Sequence, residues 1–250
     1  SVTLGRSATS PYYGWDNEFG QRPAQVAPFE AARYLVSNAD WLSFVRAGGY
    51  DDRALWSTEA LQWRDGAAHH GPKFWVADAT RPDGYAYRAM FDLLDLPLAW
   101  PAEVNAHEAA AYCRWRGEDW RLPTEAEHRA LVGDCGDPCR VEVGQHRNLN
   151  LNMALGSPSA VDAHPDDAGI CHAVGNVWQW LSEPMRPFDG FRPHPLYDDF
   201  TAPYFDDHHA LMTGGAWAST GTSCSPWYRN WFRKHFYQHV GFRIVRSLEK

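Results

Sequence analysis

Two histidines four residues apart, His235 and His239, stand in the C-terminal stretch RNWFRKHFYQHVGFRIVR. An H-x-x-x-H pair chelates one metal ion when both rings share a helix face, with β-carbons about 6 Å apart. This run leads instead into Gly241 and a β-branched segment that reads as a strand. Extended chain spreads four residues over about 13 Å, too far for both rings to reach one ion. The spacing therefore predicts no metal site here, and His235 reads as a hydrogen-bonded interior or rim histidine. Just upstream, Arg229, Asn230 and Arg233 alternate with Trp231 and Phe232. Guanidinium groups bind carboxylates in bidentate fashion, so the cluster suits an amino-acid pocket. It suits equally well arginines packed on rings and bonded to loop carbonyls. Cys135 and Cys139 in GDCGDPCR have no second cysteine pair nearby, and a plain loop is the expectation there. His69-His70, His194 and His208-His209 lie in polar loops and receive no role.

The elements that must position these groups are short. Seventeen prolines and 20 glycines break up the chain of 250 residues. In SNADWLSFVRAGGY, Ser37 or Asn38 caps a helix running to about Arg46 and ended by Gly48-Gly49. In NAHEAAAYCRWRG, Asn105 is the cap, Glu108 the reciprocal N3 residue and Gly117 the stop. RLPTEAEHRALVG carries the T-x-x-E capping box, Thr124 with Glu127, stopped by Gly133. From about Arg140 to Phe205 periodicity is weak, and such long irregular runs in compact domains are often functional. Short strands are expected at VWQWL, LMTGGAW and HVGFRIVRS. Trp178 and Trp180, two apart, share one strand face. No internal repeat or linker is visible, so one α+β domain is expected over the whole chain.

Composition narrows the classes. A net charge of −8 repels phosphate backbones, so nucleic acid is not an expected partner. No apolar run approaches the ~20 residues that cross a bilayer, and the first residues carry no signal-peptide core. Five cysteines, an odd and low count, fit a reducing cytoplasm. Aromatic residues make up 14% of the chain, including 13 Trp, enough to pin a ring-rich core or line a pocket.

Four ordered motifs carry a resemblance: RLPTEAE (Arg121 to Glu127), GNVWQW (Gly175 to Trp180), GGAWAS (Gly214 to Ser219) and GFRIVR (Gly241 to Arg246). Together they resemble the formylglycine-generating-enzyme/sulfatase-modifying family. That implies a C-type-lectin-like fold, loop-rich, with short strands and a few short helices. YYGWDNEFG, YRAMFDLLDLPLAWPAEVNAHEA, PFDGFRPHPLYDDFTAPYFD and RKHFYQHVGFR look most like the C-terminal catalytic part of ovothiol-type sulfoxide synthases. Such enzymes use Fe(II) and dioxygen to join cysteine to the imidazole of histidine as a sulfoxide. The resemblance places the iron ligands on a helical domain N-terminal to this fold. The sequence before Tyr12 does not match one, so that domain is expected in cis or in trans. Formylglycine-generating enzymes instead use two cysteines five apart; Cys224 has Arg229 at that spacing and is expected to be structural.

The resemblance also distributes roles. Tyr197 is the catalytic candidate, by spacing to GGAW, with Tyr204 as the alternative. The segment before GFR faces the iron, which makes Gln238 and His239 substrate contacts beside Arg229, Asn230 and Arg233. Arg243 and GNVWQW belong to the fold. Asn148, Asn150, Asn176, Asp162 and Asp166 offer oxygen ligands of the kind that related folds use for structural Ca²⁺, although no EF-hand spacing occurs. Free cysteine and glutamyl-cysteine stay open as the thiol. The competing reading is a non-catalytic ligand-binding module with a variable face near GFR.

Overall fold

Among the described residues, most α-helix starts are set by reciprocal caps. The computed structural model describes residues 1–11, 13–67, 71–133, 149–163 and 169–248. Cys135, Cys139, Asn148, Asp166, His69 and His70 lie outside the described residues, as does the Cys224 side chain. The chain opens with β1 (Val2–Leu4), β2 (Arg22–Ala24) and β3 (Phe29–Ala31), then α1 (Asn38–Arg46) and α2 (Thr58–Ala67). Next come β4 (Trp75–Ala77), β5 (Tyr85–Arg88), β6 (Leu93–Asp95), α3 (Ala106–Arg116), β7 (Trp120–Arg121) and α4 (Glu125–Val132). The last five are β8 (Trp178–Pro184), β9 (His209–Thr213), β10 (Asn230–Arg233), β11 (Val240–Gly241) and β12 (Val245–Ser247).

Ser37 caps α1 and exchanges bonds with Asp40, so Ser37 rather than Asn38 is the cap. Asn105 with Glu108, and Thr124 with Glu127, do the same for α3 and α4. Each box satisfies two backbone donors that a helix start otherwise leaves open. The expected helices therefore form where the caps put them. α2 was not expected. Its signal is Ser57, whose hydroxyl accepts the Ala60 backbone N–H at 3.2 Å.

A four-stranded sheet in the order β10-β9-β8-β11 carries the C-terminal motifs. Only its β11–β8 pair is parallel, with Val240 opposite Trp178. Smaller sheets join β3-β12-β7, β4-β5-β6 and β1-β2. The expected strand LMTGGAW ends at Thr213. Gly214 (φ 93°) and Gly215 (φ 74°) take left-handed backbone there, which breaks the ladder. HVGFRIVRS is two strands, β11 and β12. Between them the wholly buried Arg243 bonds the Ala32 and Arg33 carbonyls at 2.6 and 2.7 Å, and the Cys171 carbonyl besides. That commits Arg243 to the fold. β10, inside RNWFR, is a strand that the sequence did not announce.

The main core is aromatic. Trp41 stacks on Tyr112 at 5.5 Å, and Phe242 meets both rings edge-on. Trp180 is fully buried and its indole N–H donates to the Val104 carbonyl at 2.9 Å. Trp178 shares that core, on the same strand face.

Candidate active site

His239 leaves the parallel β11–β8 pair at its edge, where its carbonyl accepts the Trp178 N–H at 2.9 Å. Its imidazole Nδ1 lies 2.8 Å from Glu103 Oε1. Glu103 is 2% exposed, and its other oxygen accepts the Tyr87 hydroxyl. Burial, followed by the charge of Glu103, pushes the Tyr87 hydroxyl far up, so it stays a donor. A carboxylate can only accept, so Nδ1–H donates and the imidazole Nε2 is left for another partner. Phe74 lies parallel to the ring at 5.9 Å, and Trp217 of the GGAW turn packs at 4.7 Å. The result is a half-open imidazole held in one orientation between two rings. Sequence reasoning missed Glu103 and Tyr87. Glu103 was the one carboxylate in AWPAEVNAHEA with no local capping task, and that was its signal.

Tyr197 sits elsewhere, on the irregular loop before β9. It is 48% exposed. Its ring meets Trp15 edge-on at 6.0 Å and His194 at 5.3 Å. Trp15 in turn stacks on Phe200 at 4.6 Å and meets Tyr13 at 5.6 Å. Burial, then Tyr197, Glu18 and Asp16, raise the Tyr13 hydroxyl pKa. Tyr204, the alternative, packs on Trp231 and His209 against a buried cluster with Leu181, Met185 and Leu211. Tyr197 is thus half-exposed, whereas Tyr204 is part of the packing. Tyr228 stands between the two corners. Its ring packs on Trp178 at 5.5 Å, and burial, then Glu18 and Tyr13, push its hydroxyl up to about 12.

The arginines divide. Arg229 is buried, paired twice with Glu125 (2.6 and 3.1 Å), bonded to the Asn17 carbonyl at 3.1 Å and set 4.1 Å over Phe188. Those contacts occupy the fork that a substrate carboxylate would need, so of its two readings the structure displays the packed one. Arg233 is exposed at the end of β10, and Gln238 is half-buried beside His239. Asn230 begins β10 and accepts the Trp231 N–H at 3.0 Å. His235 is exposed in the turn after β10. His239, Gln238 and Arg233 therefore lie on or near one connection, and Tyr197 and Arg229 belong to the other corner.

Among the described residues no group of three or more His, Cys, Asp or Glu side chains is placed to hold a metal ion. His239 gives its Nδ1 to Glu103, and His235 is exposed. The described residues do not by themselves form an iron site. Asn176, a calcium candidate, has its carbonyl oxygen taken by the Asn150 amide at 3.1 Å and the Ser159 N–H at 2.8 Å. It acts as a loop staple. A cavity of about 420 Å³ lies between α3 and β8, but neither Tyr197 nor His239 lines it. Several of its charges are paired within the fold, Lys234 with Glu59, Arg121 with Glu127 and Asp207 with Arg186. Burial holds its His107 down at about 4 and its Cys113 up at about 12. No helix among the described residues is long and apolar enough to cross a membrane.

The profile of the sulfatase-modifying factor enzyme 1-like domain matches residues 1–248. Hercynine oxygenase of Mycobacterium tuberculosis is 32% identical over 254 residues, covering 97% of this chain and 57% of that protein. Ergothioneine biosynthesis protein 1 of Schizosaccharomyces pombe is 26% identical over 241 residues, covering 94% of this chain and 28% of its own length. The chain spans about half the length of the hercynine oxygenases that it matches. The solved structure of PvdO from Pseudomonas aeruginosa has a TM-score of 0.64 at 17% identity, covering 99% of this chain and 91% of its own. That likeness shows the fold alone: the mixed, lectin-like architecture expected from the motifs.

Proposed function

We propose, for a chain that belongs to the sulfatase-modifying factor enzyme 1-like family, that it is the substrate-binding and catalytic domain of a cytoplasmic oxygenase joining cysteine to histidine. In the net reaction the thiol S–H and an imidazole C–H are replaced by a C–S bond. Dioxygen takes four electrons; one oxygen atom becomes the sulfoxide and the other leaves as water with the two hydrogens. Fe(II) would supply oxygen activation, held by a helical domain in cis or in trans, since the described residues here do not fit it.

What this chain supplies is placement and a proton. His239, fixed by Glu103, offers Nε2 to a substrate between Phe74 and Trp217. Arg233 and Gln238 flank it as carboxylate and amide contacts, and Asn230 begins the same strand. Tyr197 supplies a hydroxyl that donates or accepts a proton at the reacting atoms. The observation that carries the reading is Tyr197 itself: a half-exposed phenol on a loop held in place, in a chain alike over nearly its whole length to hercynine oxygenase.

The test is oxygen uptake with Fe(II), cysteine and histidine, the chain joined to a helical domain, with the product identified by mass spectrometry. A histidine–cysteine sulfoxide is expected, and Tyr197→Phe should slow turnover by about 100-fold or more with an unchanged melting temperature. A variant as fast as the parent removes Tyr197 from the chemistry. Turnover of hercynine in place of histidine would assign the chain to the ergothioneine branch. Binding of a glycan or peptide, with no uptake on either amino acid, would favour the ligand-binding module.

A further inference from the structure

The short 3-10 turn Asp16–Glu18 lies 180 residues from Tyr197 in sequence, yet it holds both ends of the Tyr197 loop. Asp16 is 8% exposed. Its Oδ2 accepts the backbone N–H of His194 at 3.2 Å, and its Oδ1 accepts the Thr201 hydroxyl at 2.6 Å. These anchors fall three residues before Tyr197 and four after it. Asn17 adds its amide to the Thr201 oxygen at 3.3 Å, and Thr201 is fully buried. Between the anchors the loop closes on itself, Tyr197 N–H to the His194 carbonyl (3.0 Å) and Phe200 N–H to the Tyr197 carbonyl (3.1 Å). The turn is held from beneath by Arg229 on the Asn17 carbonyl and by Arg6 on Glu18 at 2.9 Å.

From this geometry we infer that Asp16 is a positioning residue: its carboxylate clamps the 194–201 loop at both ends and so sets where the Tyr197 hydroxyl stands. The inference rests on the reading of Tyr197 as the proton-handling group. An ionised carboxylate suits the task because it accepts at both oxygens, and charge-assisted bonds are the stronger kind. An amide accepts at one only. A displacement of about 1 Å of a reacting group can cost about 100-fold in rate, so the clamp has leverage.

In the enzyme assembled with its helical domain, Asp16→Ala should lower kcat at least tenfold while KM for both amino acids stays within about twofold. Asp16→Asn, whose oxygen can accept the His194 N–H while its amide donates to the Thr201 oxygen, keeps the span but loses the charge and should fall between. In a Tyr197→Phe background, Asp16→Ala should slow turnover no further, because it acts through a hydroxyl already gone. A parent-like kcat in Asp16→Ala, or a full additional loss in the double variant, overturns the proposal. A second readout does not use activity. Limited proteolysis within residues 191–201 should speed up in Asp16→Ala and stay at the parent rate in Tyr197→Phe. If Tyr197→Phe proves fully active, the catalytic reading falls and the clamp is judged by proteolysis alone. Unchanged cutting of Asp16→Ala would then sink the clamp as well.

Discussion

The His239 corner and the Tyr197 corner are anchored by opposite means. His239 directly precedes a strand of a parallel pair, and its partner Glu103 is buried. Tyr197 sits on loop backbone that belongs to no strand, fastened by one carboxylate from a distant turn and by ring packing on Trp15. The first corner is part of the core's own polar network. The second is attached to the core. Damage to the first should therefore appear as lost stability, and damage to the second as lost rate with the fold intact. Under the proposed function, substrate would be oriented at the core-anchored corner and the proton handled on the exposed loop.

Glu103→Ala is the strongest way to break this contrast. It strands the buried Tyr87 hydroxyl and removes the acceptor for His239. Unfolding free energy from urea titration should fall by about 3 kcal/mol, and Glu103→Gln, which keeps an acceptor, should lose clearly less. A drop below about 1 kcal/mol would mean that the His239 corner is no better built into the core than the Tyr197 loop. Arg229→Met comes next. It leaves Glu125 without its bidentate partner and the Asn17 carbonyl without a donor. A loss of about 2 kcal/mol with an unchanged KM is expected. A large rise in KM at unchanged stability would instead return Arg229 to the substrate.

What the sequence made legible follows the range of each interaction. The boxes Asn105–Glu108 and Thr124–Glu127 join residues three apart, so type and spacing are enough to read them. Ser37–Asp40 is equally local, although Asp in place of Glu left the cap ambiguous with Asn38. Arg229 and Asp16 are the reverse. Arg229 meets Glu125 across 104 positions and Asp16 meets Thr201 across 185, and nothing local distinguishes a committed guanidinium from an available one. The two readings of the Arg229 cluster could be separated only by the tertiary partner. Glu103 with His239, 136 positions apart, is the same case. The motif order revealed the fold, because motifs are local; the assembly of the site is almost entirely long-range.

Acid should weaken the fold beneath β8. His128 is buried and its ring Nε2 lies 3.0 Å from the Ala173 carbonyl, which also accepts from Gln179 on β8. Burial, then the charge of Arg243, holds its pKa down at about 3. A histidine whose folded pKa lies below its unfolded value of about 6.5 favours the folded state when neutral. That stability is complete above pH 6.5 and declines as pH falls toward 3. The decline has a slope of up to about 1.4 kcal/mol per pH unit for one proton. His128→Gln keeps a donor for Ala173 and cannot titrate. Its stability curve should be flatter by about that slope between pH 6 and 4 in chemical denaturation. Parallel curves would show that His128 is not held neutral beneath β8.

His239→Gln should produce the smallest change in stability and the most informative one in kinetics. The ring is half-open, and a glutamine amide can still donate to Glu103, so unfolding free energy should move by less than about 1 kcal/mol. The imidazole Nε2 and the flat ring between Phe74 and Trp217 are lost, however. If this corner orients substrate, KM for histidine should rise about tenfold, equivalent to about 1.4 kcal/mol, with kcat little changed. Tyr197→Phe should do the reverse, lowering kcat and leaving KM in place. The pair of variants therefore separates the corners by kinetic constant as well as by stability. A fall in kcat at constant KM in His239→Gln would assign the proton to the imidazole held by Glu103. Tyr197 would then be reduced to a wall of the pocket.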